Sequence, residues 1–139
     1  MAFNSITRLR LRSLFTLAAF ARETRAIAAQ AAAAPGFLSG AVLAEGRLVF
    51  WTRTAWADEE SMKAFRESGA HRASMPKLIE WCDEASVAHW QGEPEPDWDA
   101  IYARMVGEGR PSRVKRPTKA HQERRFAPMR RWSPEQKIV

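Results

Sequence analysis

Apolar and charged positions alternate at the start of the chain: Ile6, Leu9 and Leu11 stand with Arg8, Arg10 and Arg12 between them. A period of two predicts a half-exposed strand over residues 5–12, placed at a sheet edge where arginine discourages further pairing. The period then changes. After Ser13, a suitable N-cap, Leu17, Phe20, Thr24, Ile27 and Ala31 recur at steps of three and four, the stripe of one amphipathic helix. Its alanines favour the helix, and Pro35-Gly36 ends it. Residues 37–44 and 48–56 then read as two strands joined by a short Glu45-Gly46 connection. On the second, Phe50, Thr52, Thr54 and Trp56 share one face while Val49, Trp51 and Arg53 share the other, so neither face looks built for water.

Asp58 is placed to cap a helix with Glu59 and Glu60 in its first turn, Met62 and Phe65 on its buried side and Gly69 at its end. A second helical stretch follows, with Pro76 at the start of its latter part and Met75, Leu78, Ile79 and Cys82 on one face. Residues 86–91 form a fourth strand. The order β-α-β-β-α-β is the split pattern of a ferredoxin-like α+β fold, a four-stranded antiparallel sheet with helices on one face. Residues 1–92 are expected to make this domain, and residues 93–139 a C-terminal extension. Within the extension, Trp98, Ile101, Tyr102 and Met105 have helical spacing, and the part from Gly107 onward is basic and Pro-containing, expected to be extended or disordered when alone. Helices on one side would leave Trp51 bare on the other, and a second subunit is the economical cover.

Charge divides at the same place. Residues 1–109 hold 12 Lys/Arg against 14 Asp/Glu, whereas residues 110–139 hold 10 against 2. The basicity thus belongs to the tail, and attraction of the whole domain to nucleic acid is not implied. The tail itself, with Phe126 and Trp132 available to stack, allows nucleic-acid binding or a wrap around a dimer partner. Cys82, the single cysteine, excludes an internal disulfide and suits a reducing cytoplasm. The basic and apolar start imitates a secretory signal, but Arg22 and Glu23 interrupt the apolar run, and helical periodicity continues through it. No run approaches the roughly 20 residues of a membrane span.

The strand-helix-turn unit FWTRTAWADEESMKAFRESGAHRASM resembles the dimeric α/β-barrel superfamily, particularly its antibiotic-biosynthesis-monooxygenase-like and spheroidene-monooxygenase-like branches. Trp56, Asp58, Phe65 and the turn Ser68-Gly69-Ala70-His71 carry the likeness. It covers about residues 3–92. It implies a homodimer packed sheet to sheet, a pocket between helices and sheet in each subunit, and monooxygenase-like chemistry, either cofactor-free or haem-dependent.

His71, on a turn beside an aromatic wall, is the first candidate for a general base, or for the axial ligand if haem is bound. A histidine hydrogen-bonded to backbone at a helix start is the plainer alternative. Arg53, on an apolar face, needs a carboxylate or an acidic ligand group and is the candidate to stabilise a substrate anion. Trp51, Trp56, Phe65, Met75, His89 and Trp90 are the candidates to line a site for a small apolar or aromatic molecule. The same aromatics would equally serve as core or interface. The histidines lack zinc-site spacing, so no metal site is expected apart from haem iron on His71. The rival function is a non-catalytic dimeric interaction protein whose basic tail binds an acidic partner or nucleic acid.

Overall fold

A computed structural model describes residues 1–130 and 134–139; Trp132, one of the two tail aromatics, lies outside them. Strands β1 (Phe3–Leu11), β2 (Phe37–Glu45), β3 (Val49–Trp56) and β4 (Cys82–Gln91) pair antiparallel in the order β4-β1-β3-β2. Helices α1 (Leu17–Ala33), α2 (Glu59–Arg66) and α3 (Gly69–Trp81) supply the crossovers. The fold is the α+β ferredoxin-like one that the hydrophobic pattern predicts. Local chemistry agrees: Asp58 caps α2 by accepting from Ser61 N at 2.8 Å. Gly36, at φ +84°, turns α1 into β2 where a Cβ would run into Ser61.

Several local expectations fail. β1 is a central strand, paired with both β3 and β4, and its arginines do not face open water. Arg8 is 4% exposed and bonds Glu84 at 2.6 Å, and Arg10 bonds Asp83 at 2.5 Å. Pro76 lies inside a continuous α3, Met75 points outward, and Ser74 is the buried residue of that helix. Cys82 opens β4 four residues earlier than the predicted strand.

The larger difference is the extension. It folds back as α4 (Trp98–Glu108), β5 (Arg110–Pro111), α5 (Lys119–Gln122) and β6 (Gln136–Lys137), giving a six-stranded sheet, β5-β4-β1-β3-β2-β6. Asp97 caps α4 by accepting from Asp99 N and Ala100 N. Trp98, Ile101 and Met105 then pack on Ile6, Ala41, Leu43, Trp51 and Ala88, the sheet face that α1–α3 leave bare. Trp51 is 0% exposed within the single chain, so covering it does not require a second subunit. Ile101 and Met105 are also fully buried, each contributing about 1.5–3 kcal/mol before the cost of ordering the segment. Phe126 and Met129 close the same core. The tail, expected to be extended or disordered, is a strap over its own domain.

Candidate functional site

The sheet face beneath α1–α3 is arranged in cross-strand rows. At one end Phe3 and Trp56 pair and meet Ala31, Met62, Phe37 and Phe65. At the other end Leu9 and Phe50 pair beside Leu11, Phe20 and Cys82. Between these two apolar ends lie two polar rows, Ser5–Thr54–His89 and Thr7–Thr52–Val87. Every residue of those rows is half-buried. A band of hydroxyls under helices, flanked by fully covered aromatics, is unusual for a sheet interior, where unpaired polar groups cost stability.

The turn between α2 and α3 forms the roof beside this band. Gln30 of α1 holds it: its amide nitrogen donates to Phe65 O at 3.0 Å and Ser68 O at 2.9 Å, and its oxygen accepts from His71 N at 2.8 Å. Gly69, at φ +57°, lets the turn close against Gln30. Further along, Glu23 of α1 accepts from Ser74 Oγ at 2.8 Å and pairs with Lys77. Helices α1 and α3 are thus tied to each other by polar contacts.

His71 Nδ1 lies 3.1 Å from the Arg66 carbonyl oxygen, which selects the tautomer protonated at Nδ1 and leaves the Nε2 lone pair free. Its ring meets Phe65 edge-on with centroids 5.0 Å apart, Phe65 lies 4.9 Å from Trp56, and Trp56 lies 5.4 Å from Phe37. Trp56 Nε1 donates to Thr54 Oγ1 at 2.9 Å, joining the aromatic cluster to the hydroxyl band. His89 lies 5.3 Å from Phe3, and its ring nitrogens have no partner among the described residues. Burial pushes both histidines below their ordinary value. The Arg66 charge adds to this at His71 against its own carbonyl, and Arg110 and Arg66 add to it at His89. Both rings are therefore neutral at pH 7, the form in which a histidine accepts a proton.

The predicted site residues divide between the two faces. Trp56, Phe65, His71 and His89 lie on the helix side. Trp51, Arg53 and Trp90 lie on the other side, pointing away from His71, so Arg53 does not share a site with it. Arg53 instead donates from Nη2 to Glu135 at 3.0 Å and stacks on Trp98 at 5.7 Å, while Trp98 Nε1 donates to the same carboxylate at 2.7 Å. Trp51 Nε1 donates to Glu45 at 2.8 Å, and Trp90 carries Arg104 at 4.2 Å. Met75 is exposed on α3. Gln30 and the band Ser5, Thr7, Thr52 and Thr54 fall outside the predicted set. The shared face of Thr52, Thr54 and Trp56 is the signal in the sequence that could have found the band.

For haem, His71 Nε2 and the ring nitrogens of His89 are the donor atoms left without a partner on this face among the described residues. The His71 ring, however, is packed against Phe65, and two concavities lined from the opposite face each hold about 10 Å³, room for a water. These residues do not fit a porphyrin. Among the described residues no group of three or more His, Cys, Asp or Glu is arranged to hold a metal ion.

Fold and cluster together define a ferredoxin-like α+β protein with a neutral-histidine, aromatic and hydroxyl-lined face under its helices. Residues 15–77, a little under half of the chain and running from just before α1 through most of α3, match the family model for Antibiotic biosynthesis monooxygenase. No curated protein matches the sequence. Among solved structures, SnoaB, a cofactor-independent oxygenase from Streptomyces nogalater, is 15% identical with a TM-score of 0.56, covering 69% of this chain and 98% of that one. A conserved protein from Methanosarcina mazei Go1 is 16% identical with a TM-score of 0.59, covering 67% and 94%. A dimeric ferredoxin-like protein of unknown function from Thermobifida fusca is 19% identical with a TM-score of 0.53, covering 66% and 92%. At these identities the likeness is one of fold, and about a third of this chain lies outside each match. Among the described residues no helix is long and apolar enough to cross a membrane.

Proposed function

We propose that the helix-covered face binds a small, electron-rich aromatic molecule and oxygenates it without a cofactor. The observation that carries this reading is the hydroxyl band itself, held half-buried between two apolar ends beside a histidine with a free Nε2. Trp56, 0% exposed and packed on Phe65, becomes a ring face for a planar substrate when α2 lifts. His71 Nε2 takes a proton from an acidic C–H or O–H of the substrate, and Thr52, Thr54 and Ser5 donate hydrogen bonds to the oxygen on which negative charge collects. The resulting anion is oxidised by dioxygen. For a methylene centre, one oxygen atom becomes the ketone oxygen, and the other leaves as water with the two hydrogens the carbon loses. Carbon is oxidised, dioxygen is reduced, and no further reductant is needed. Entry requires the α2–α3 turn, tied to α1 by Gln30, to lift from the sheet. The SnoaB likeness supports this chemistry at the level of fold.

The test is oxygen consumption with an enolisable polycyclic hydroxyketone. His71→Gln should lower kcat by at least about a hundredfold, the range for a general base. The wild-type rate should be flat above about pH 6.5, because the ring is already neutral there. An unchanged rate in His71→Gln refutes the assignment.

A further inference from the structure

The strap makes a second site on the opposite face, away from the proposed oxygenation chemistry. Where residues 118–126 cross the β4 edge, a concavity opens between Arg8 of β1, Ser86 of β4, His121 of α5 and the following pair Arg124 and Arg125. It has about 10 Å³ of open space and is open to solvent.

The groups around it are nearly all donors. Arg8 is 4% exposed, and its Nε is buried without a hydrogen-bond partner, although Nη1 is engaged by Glu84. Ser86 is 7% exposed, and its hydroxyl has no partner among the described residues. His121 Nδ1 accepts from Ala85 N at 3.4 Å, which leaves Nε2 to present its hydrogen. Glu84, the one carboxylate of the lining, is already occupied by Arg8 and by Thr118 Oγ1 at 2.8 Å. Arg124 has no ion pair among the described residues, and Arg125 donates from Nε to Glu123 at 2.8 Å. Arg124 is also the one non-glycine residue at positive φ, +56°, among the described residues, a conformation that costs about 1 kcal/mol. A buried guanidinium with an idle donor normally finds a partner; among the described residues Arg8 Nε has no hydrogen bond, and the guanidinium otherwise lies 6.0 Å from the Trp51 ring centroid and 5.7 Å from that of Phe126.

We propose that this concavity binds the phosphate group of a small anion. A phosphate oxygen fits the water-sized space within reach of Arg8 and Ser86, leaving the other oxygens to His121, Arg124 and Arg125. Donors arriving from β1, β4, α5 and the segment after it suit a tetrahedral group, whereas a planar carboxylate would be satisfied by one arginine fork. The two sources of such a group are free phosphate and a phosphate monoester.

The site is tested on the full chain at low ionic strength, by calorimetric titration and amide chemical shifts with inorganic phosphate and, separately, glycerol phosphate. Binding of one equivalent, with shifts at Ala85, Ser86 and His121, is expected, and the tighter of the two probes identifies the source. Arg124→Gly should weaken binding about tenfold or more through loss of a charge-assisted contact. Its melting temperature should be unchanged or higher, because glycine accepts the left-handed conformation. Ser86→Ala should weaken binding several-fold. The proposal is overturned if neither probe binds, if sodium chloride at matched ionic strength gives the same shifts, or if Arg124→Gly binds as tightly as the wild type.

Discussion

Replacing Ile101 by alanine asks whether the C-terminal strap is part of the core or merely rests on it. Ile101 is 0% exposed in α4 and packs into the cluster of Ile6, Ala41, Leu43, Trp51 and Ala88. Truncating such a side chain removes its transfer free energy and leaves a cavity, together about 2–5 kcal/mol. A residue on a loosely attached arm would cost less than about 0.5 kcal/mol. The two cases are well separated. Urea unfolding followed by tryptophan fluorescence should show one transition with an unchanged slope and a midpoint lowered by about 2–4 kcal/mol of stability. At this chain length the melting temperature should drop on the order of 10 °C. A change under about 0.5 kcal/mol, or a separate early transition for the strap, refutes the account of a shared core.

The remaining expectations concern single groups. His71 and His89 both have folded pKa values below the ordinary one. Above about pH 6.5 neither folded nor unfolded chain protonates them, but below it the unfolded chain binds protons that the folded chain refuses. Stability should therefore fall as pH drops through that value, and the double variant His71→Gln/His89→Gln should flatten the fall; an identical profile counts against the burial described. Cys82 is buried, with its thiol pushed up to about 12, chiefly by burial and further by Asp83. Ellman's reagent under mildly alkaline conditions should leave it unmodified until the chain unfolds, and labelling on mixing would contradict this. Glu135 holds both Arg53 and Trp98, so Glu135→Ala should cost about 2 kcal/mol. Glu59→Ala, which breaks an exposed i,i+4 pair with Lys63, should stay within about 0.5 kcal/mol. Equal effects of the two would remove the distinction drawn between them.

Element order was legible because each element carries its own period, and caps such as Asp58 mark its ends. Strand parity was also readable: Trp51 and Trp56 are five positions apart and so belong to opposite faces. Grouping them in one site set that rule aside in favour of shared aromaticity. The arginines of β1 misled for a different reason. Alternating charge reads as an exposed edge, but Arg8 and Arg10 find Glu84 and Asp83 on the neighbouring strand, far along the chain. The helical stripe of α4 was visible, whereas its landing place on Ile6 and Trp51 was not, because no local signal encodes a long-range contact. The role of Gln30 is not legible for the same reason, since its bonds reach a turn more than thirty residues away.

The strap also sets an order of events during synthesis. The four central strands are complete once Gln91 has been added, but α4, β5 and β6 are still to come. At about 5–20 residues per second, the 48 residues from Gly92 to Val139 take several seconds to make. Until α4 is complete at Glu108, Ile6, Leu43 and Trp51 have no cover, and the two-residue pairings of β5 on β4 and of β6 on β2 come later still. A nascent chain of this protein therefore passes through a sticky stage that its finished form conceals, and a premature stop before Trp98 should yield aggregates and a call on chaperones rather than a smaller working domain.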